Sequence, residues 1–221
     1  MRVVITGTSA GMGLAAAKKF LKEGHEVFGI DILPCPKDLE NHSCYTHYVA
    51  NIADNLQLPD IDNVNILVNN AGVQGSGMDI DINLKGLMNV TMKYALNNTQ
   101  IRSVLNQAAA SAHMGTEYDE YVASKGGVIA YTKWTAKEIA KYGATCNSLS
   151  FGGVETELNK PVMDNPELWE QIMKLTPLRR WTTVDEAAEW IYFFTMMNRS
   201  CSGQDLIIDN LESLNGVFVW E

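Results

Sequence analysis

The sequence predicts an α/β domain in which buried parallel strands alternate with helices. Two observations carry this expectation. The chain opens with a short β-branched run, a glycine-rich turn and an amphipathic stretch, and apolar runs then alternate with helical segments to its end. The opening run, Arg2 to Thr6, lacks the polar alternation of a half-solvated strand and reads as a strand buried on both faces. The 221 residues, 46% hydrophobic and 19% charged, fill one such domain, so 1–221 reads as a single unit.

The first strand is Arg2 to Thr6, and Gly7-Thr8-Ser9-Ala10-Gly11-Met12-Gly13 follows it directly. A helix comes next, with Leu14, Ala17, Phe20 and Leu21 on its apolar face and a stop near Gly24. Strand, glycine turn and helix in this order form a phosphate-binding context: the glycines admit a pyrophosphate and the helix N-terminus supplies N–H groups. The second strand, Glu26 to Ile30, ends in Asp31. An acid roughly 20 residues past such glycines accepts hydrogen bonds from the ribose of NAD and repels the 2′-phosphate of NADP. No Lys or Arg stands in Thr8-Ser9-Ala10 or directly after Asp31, so the dinucleotide reads as NAD(H); the plainer alternative is a strand-end Asp that caps a turn.

Pro34-Cys35-Pro36 marks a rigid loop, Cys44 to Val49 a third strand, and Asn65 to Val68 a fourth that ends in Asn69-Asn70-Ala71-Gly72. Gly72 to Met78 reads as a short flexible loop, followed by a helix that carries Asp81-Ile82-Asn83-Leu84-Lys85-Gly86. Ser103 to Gln107 and Ala144 to Ser150 are the fifth and sixth strands, and Leu206 to Ile208 the last. Between them lie an apolar loop and helix over about 155–177 and a helix from Val184 to Met197.

Tyr121 and Lys125 stand four residues apart, on one face of a helix. A fixed ammonium there is expected to lower the pKa of the phenol and fit it for acid–base work near neutral pH. An ordinary amphipathic helix would show the same pair, so the pair alone is weak.

The net charge of −9 argues against a nucleic-acid partner. No run of about 20 apolar residues could span a bilayer, and the N-terminus has no secretory pattern. Cys35, Cys44, Cys146 and Cys201 are scattered without zinc spacing, so no metal is expected and the thiols suit a reducing cytoplasm.

Thr6-Gly7-x-x-x-Gly11-x-Gly13, Asn69-Asn70-Ala71-Gly72, Tyr121-x-x-x-Lys125, Asn147-Ser148 and Gly152-Gly153-Val154-x-Thr156 follow one another in order. Together they resemble the short-chain dehydrogenase/reductase family over essentially the whole chain. The resemblance implies a Rossmann-type fold, a doubly wound parallel sheet of about seven strands with helices on both faces in a single domain, with NAD as cofactor and hydride transfer to or from a secondary alcohol or ketone. It implies that Gly7, Thr8, Ser9, Gly11, Met12 and Gly13 form the dinucleotide turn and that Asp31 and Ile32 hold the adenosine ribose. Asn51 and Ile52 then lie against adenine, although the family more often has Asp where Asn51 stands. Asn70, Ala71 and Gly72 run along the cofactor, and Val154 and Thr156 meet its nicotinamide end. Tyr121 becomes the acid/base, Lys125 its partner and a ribose ligand, and Asn83 the residue whose backbone carbonyl holds a relay water.

One departure stands out. The family's catalytic serine lies 13 residues before the tyrosine, and that position is Ala108. Ala110-Ser111-Ala112-His113 is similar to a segment of compact bacterial 3-alpha-hydroxysteroid dehydrogenase/carbonyl reductases and again sets the serine at Ala108. Three explanations stay open: an engineered or trapped variant of an active enzyme; a substitute hydroxyl, with Ser111 the nearest; or an NAD-binding regulatory or scaffolding protein without significant catalysis. His113, Phe151, Leu158, Met163 and Trp169 are candidates to touch substrate, and the apolar residues among them suggest a hydrophobic one. The tail Gly216 to Glu221 is apolar, with Phe218 and Trp220, and suggests a homodimer or homotetramer.

Overall fold

The computed structural model describes residues 1–214. Strand β1 (Arg2–Thr6) turns at Gly7 into helix α1 (Gly11–Lys22), which leads to β2 (Glu26–Asp31) and β3 (Tyr45–Val49). After β4 (Ile66–Asn69) comes α2, a continuous helical run whose first and last parts, Ile80–Gly86 and Met92–Leu96, are π-helical around an α-helical Leu87–Thr91. Strand β5 (Ser103–Ala109) leads through the short α3 (Ser111–Met114) into α4 (Asp119–Ile139), the longest helix described. Then follow β6 (Thr145–Phe151), β7 (Val154–Glu155), α5 (Lys160–Met163), α6 (Pro166–Leu175), β8 (Thr182–Thr183), α7 (Val184–Tyr192) and β9 (Asp205–Ile208).

Seven strands form one sheet in the order β3-β2-β1-β4-β5-β6-β9, and every adjacent pair is parallel. The architecture is the expected Rossmann-type one, with a small β7–β8 pair beside the main sheet. Successive residues of β1 face opposite layers. Val3 and Ile5 pack with Phe20 of α1 and Ile191 of α7, while Val4 packs with Val90 of α2 and Ile139 of α4. Both layers around β1 are apolar, which is why its sequence carries no polar alternation.

The chain runs outward from β1 to β3, then crosses back to β4 on the other side of β1. That reversal opens a crevice at the C-terminal ends of β1 and β4, the place where open parallel sheets hold ligands. Gly7 and Asn70 stand at its mouth. Asn70 donates from Nδ2 to the carbonyls of Thr6 at 3.0 Å and Gly7 at 3.3 Å, and its backbone N–H reaches Thr6 Oγ1 at 3.0 Å. Gly7 has φ +76°, and a Cβ there would stand 2.9 Å from Ala71 Cα, so this turn needs glycine twice over.

The loop 72–79 is held more firmly than its glycines suggest. Buried Asp79 accepts from the N–H groups of Gly75 and Ser76 at 2.9 and 2.8 Å, and Asn83 clamps Val73. No helix of the described residues is long and apolar enough to cross a membrane. The apolar tail with Phe218 and Trp220, on which an oligomer was expected, lies outside the described residues.

Candidate active site

Two cavities of about 430 and 400 Å³ share Met12, Asn70, Gly72, Val73, Thr156 and Leu158, and so form one cleft across the strand ends. Gly7, Gly11, Asp31, Ile32, Asn51, Ile52 and Ala71 line its first half. Ala108, Ser111, Tyr121, Lys125, Phe151 and Val154 line its second. Residues far apart in the sequence thus meet in one trough.

The first half fits a dinucleotide. No side chain caps the N-terminus of α1 and no acid lies in its first turn, so its leading N–H groups and the positive end of its dipole face the cleft. Gly11 has φ +54° and lies against Thr156. The Oδ1 of Asn70 is buried without a partner, a free acceptor on the cleft wall. Asp31 accepts from Ser9 N–H at 2.9 Å and Leu33 N–H at 3.0 Å, which sets its carboxylate at the rim where a ribose would lie. Ser9 is further tied through Oγ to the carbonyl of Pro34 at 3.0 Å. Asn51 lines the wall, with Oδ1 accepting from Ala53 N–H. Two residues of the glycine turn face elsewhere. Thr8 is turned inward to accept from Tyr45 OH at 2.9 Å, and Gly13 packs its Cα against the Gly7 carbonyl.

In the second half, Lys125 is 4% exposed and its Nζ donates to the carbonyl of Gln107 at 2.9 Å. Burial brings its pKa down to about 8. The same Nζ lies 5.7 Å from the centre of the Tyr121 ring. The expectation that Lys125 lowers the pKa of Tyr121 is not met. Burial pushes the phenol well above its ordinary value, and the negative charges of Glu117 and Asp79 push it further. The physical reason is the geometry of the lysine: its head is turned to a carbonyl, and its own charge is weakened by desolvation.

Asn83 sits in the first π-helical part of α2, a distortion often found at functional sites. Its side-chain oxygen accepts from Val73 N–H at 2.7 Å, and its Nδ2 donates to the Val73 carbonyl at 2.8 Å and Ser124 Oγ at 3.0 Å. The asparagine therefore fastens the loop over the cleft to the helix that carries Tyr121 and Lys125. Sequence reading pointed only to its backbone carbonyl.

Ala108 lines the cleft, while its methyl packs with Leu87 and Val128 in a small apolar cluster. Ser111, three residues on, is 3% exposed, and its Oγ has no hydrogen-bond partner. Among the substrate candidates, Phe151 and Leu158 line the cleft. Trp169 stands behind it, edge-on to the lining Trp181 at 4.9 Å, and Met163 of α5 does not reach the lining. His113 is committed elsewhere: its Nε2 meets Asp205 Oδ2 at 2.7 Å, and Ser150 Oγ donates to the same carboxylate. It ties α3 to β9 instead of facing the cleft. Sequence reading missed Glu117 and Glu212, two acids on the wall of the second half.

A family model described as enoyl-(acyl carrier protein) reductase matches residues 7–210. The chain belongs to the short-chain dehydrogenase/reductase family, a family of oxidoreductases that use a nicotinamide cofactor. It is 27% identical to a 3-oxoacyl-[acyl-carrier-protein] reductase of Chlamydia pneumoniae, over 94% of this chain and 95% of that one. It is 28% identical to the protein of the same description in Thermotoga maritima, over 93% and 95%. Among solved structures, a candidate 2-deoxy-D-gluconate 3-dehydrogenase of Agrobacterium tumefaciens with bound NADP superposes with a TM-score of 0.86 at 25% identity, covering 96% of each chain. The fold is also that of an aldohexose dehydrogenase of Thermoplasma acidophilum, with a TM-score of 0.84 at 23% identity over 100% of this chain and 96% of that one.

Proposed function

We propose that this chain is an NAD(H)-dependent oxidoreductase acting on a secondary alcohol or ketone, with Tyr121 as its acid/base. The observation that carries the proposal is the convergence of Tyr121, Lys125 and Asn83 at one end of a cleft whose other end is the glycine turn and Asp31. NAD over NADP is supported by Asp31 at the rim and by the absence of Lys or Arg from the lining of the first half among the described residues. The bound nicotinamide would supply the hydride chemistry.

The chain's own residues divide the remaining work. Tyr121 stays protonated at neutral pH, so it is set to give its phenolic proton to a ketone oxygen in reduction; in oxidation it takes the proton back. Lys125, fixed by the Gln107 carbonyl, offers a cation beside the phenol and to a ribose hydroxyl of the cofactor. Ser111 takes the part that Ala108 cannot. Its unpartnered hydroxyl is available to steady the substrate oxygen, a contribution of about 10²–10³ in rate for a comparable donor. Val154 and Thr156 would meet the nicotinamide end, Phe151 and Leu158 the substrate. We place the protein in the cytoplasm as a homodimer or homotetramer, a reading supported by the exposed Leu206 and Ile207 on edge strand β9.

Ala108 favours a second reading, an NAD-binding regulatory or scaffolding protein with little chemistry. The test is a titration with NADH and NADPH, and turnover on a carbonyl panel, for wild type, Ala108→Ser and Ser111→Ala. Tighter NADH binding with turnover that collapses in Ser111→Ala is expected. Binding without turnover in wild type and Ala108→Ser would turn the choice to the second reading, and no binding of either cofactor would overturn both.

A further inference from the structure

Among the described residues, the second half of the cleft holds two carboxylates and no cation facing them. Glu117 lies four residues before Tyr121 and accepts one hydrogen bond, from Gln74 Nε2 at 2.7 Å. Glu212, at the start of the last helical turn described, leans over Gly152 and accepts the N–H of Gly153 at 3.3 Å. Neither forms an ion pair among the described residues. Among the described residues, Lys125 is the one basic residue of this lining, and it is turned to the Gln107 carbonyl. The acids feel the lack. Burial raises the carboxyl of Glu117 above the ordinary range, with a further push from the charge of Glu212, and burial raises Glu212 as well, against the pull of the Gly153 N–H. Both carboxylates also border the space in front of Tyr121, where a hydrophobic substrate would leave them without a partner.

A second observation points to what fills that space. Ser111 Oγ stands close enough to the Glu117 carboxylate to pull its pKa down, makes no hydrogen bond of good geometry, and is buried on the same wall. A donor suited to a carbonyl oxygen therefore stands next to an acceptor suited to a positive charge. A substrate that satisfies both carries an amine close to its carbonyl.

We infer that Glu117 and Glu212, with Ser111 beside them, form a subsite for an ammonium group, so that the ketone or alcohol taken by this cleft is an amino ketone or a vicinal amino alcohol. The inference rests on the oxidoreductase reading and narrows it to a cationic substrate class. Anionic substrates are disfavoured by the same two charges, on a chain of net charge −9.

The test uses a matched series that differs in one substituent: aminoacetone, hydroxyacetone and pyruvate. Binding of each is measured by ligand-observed NMR with and without NADH, and NADH-dependent reduction of each is followed for wild type, Glu117→Gln and Glu212→Gln. Aminoacetone is expected to bind at least about tenfold more tightly than either analogue, as a charge-assisted pair implies, and to be reduced with the highest kcat/KM. Each variant is expected to cut that preference by raising KM more than it lowers kcat. A preference for hydroxyacetone or pyruvate, or a preference unchanged in both variants, overturns the inference. The arm without NADH reads the subsite whether or not the cofactor binds, so a failure of the cofactor reading is separate from a failure here. Thermal midpoints confirm that the variants are folded, and the carboxamide keeps an acceptor for Gln74 and for Gly153.

Discussion

Lys125 Nζ donates to the carbonyl of Gln107 at 2.9 Å, which ties α4 to the end of β5. Because burial lowers its pKa to about 8, the folded protein binds fewer protons than the unfolded one between that value and about 10.5. Stability contributed by this group therefore rises with pH across that window. Thermal midpoints measured from neutral pH to pH about 10.5 should show a rise in wild type relative to Lys125→Met. Parallel curves for the two proteins would mean that some other group titrates there.

The acid and its partner titrate far apart, and activity should report it. The phenol of Tyr121 is held protonated well past neutrality, whereas Lys125 loses its proton near 8. Ketone reduction is thus expected to decline as pH rises through about 8. Lys125→Arg, which stays charged, should move that decline upward even at reduced rate. Tyr121→Phe should lose about 10²–10⁴ in kcat with NADH affinity little changed. A Tyr121→Phe variant with near-normal kcat would remove the tyrosine from the mechanism.

Ser111→Ala separates catalysis from stability. The hydroxyl is buried with no hydrogen bond, so its removal should leave the thermal midpoint level or higher. Turnover should nevertheless fall about 10²–10³. A fall in both together would mean that the serine is structural. Ala108→Ser behaves differently, since its Cβ faces Leu87 and Val128; a hydroxyl there enters an apolar cluster and should lower the midpoint.

The fold could be read from the chain because its signals are local. The predicted strand segments became the seven strands, and Gly7 and Gly11 adopt the positive φ that a tight phosphate turn requires. Tyr121, Lys125 and Asn83 were visible because residue type and spacing mark them. What stayed hidden depends on side-chain direction. Nothing in the text says that Lys125 turns to a backbone carbonyl, that Asn83 acts through its amide, or that His113 pairs with Asp205, 92 residues away. Glu117 reads as an acid in a polar loop. Its positive φ of 78°, uncommon outside glycine, appears only in three dimensions.

Asp31 should set cofactor choice through charge. Its carboxylate accepts from Ser9 and Leu33 N–H groups, so Asp31→Ala would strand two donors and confuse selectivity with folding. Asp31→Asn keeps an acceptor and removes the repulsion. The ratio of NADPH to NADH dissociation constants should fall by about tenfold or more, an effect of roughly 1.4 kcal/mol. An unchanged ratio would move the discrimination away from Asp31.

The two cleft acids make a prediction about stability that needs no substrate. Each carboxyl has a folded pKa raised above its unfolded value, so the folded state holds more protons than the unfolded one in the window just above the ordinary glutamate range. The stability these groups contribute is full in acid and is lost as pH rises through their folded values. Above that window their charge comes at a cost, and Glu117→Gln or Glu212→Gln should raise the thermal midpoint at neutral pH. The gain should shrink near pH 4.5. The carboxamides keep the acceptors used by Gln74 and Gly153, so the effect isolates charge. An amine in the cleft would supply the missing countercharge, so aminoacetone should stabilise wild type more than either variant. If either substitution lowers the midpoint at pH 7 instead, that carboxylate already has its compensation within the protein, and the cleft has no unmet negative charge to offer a cation.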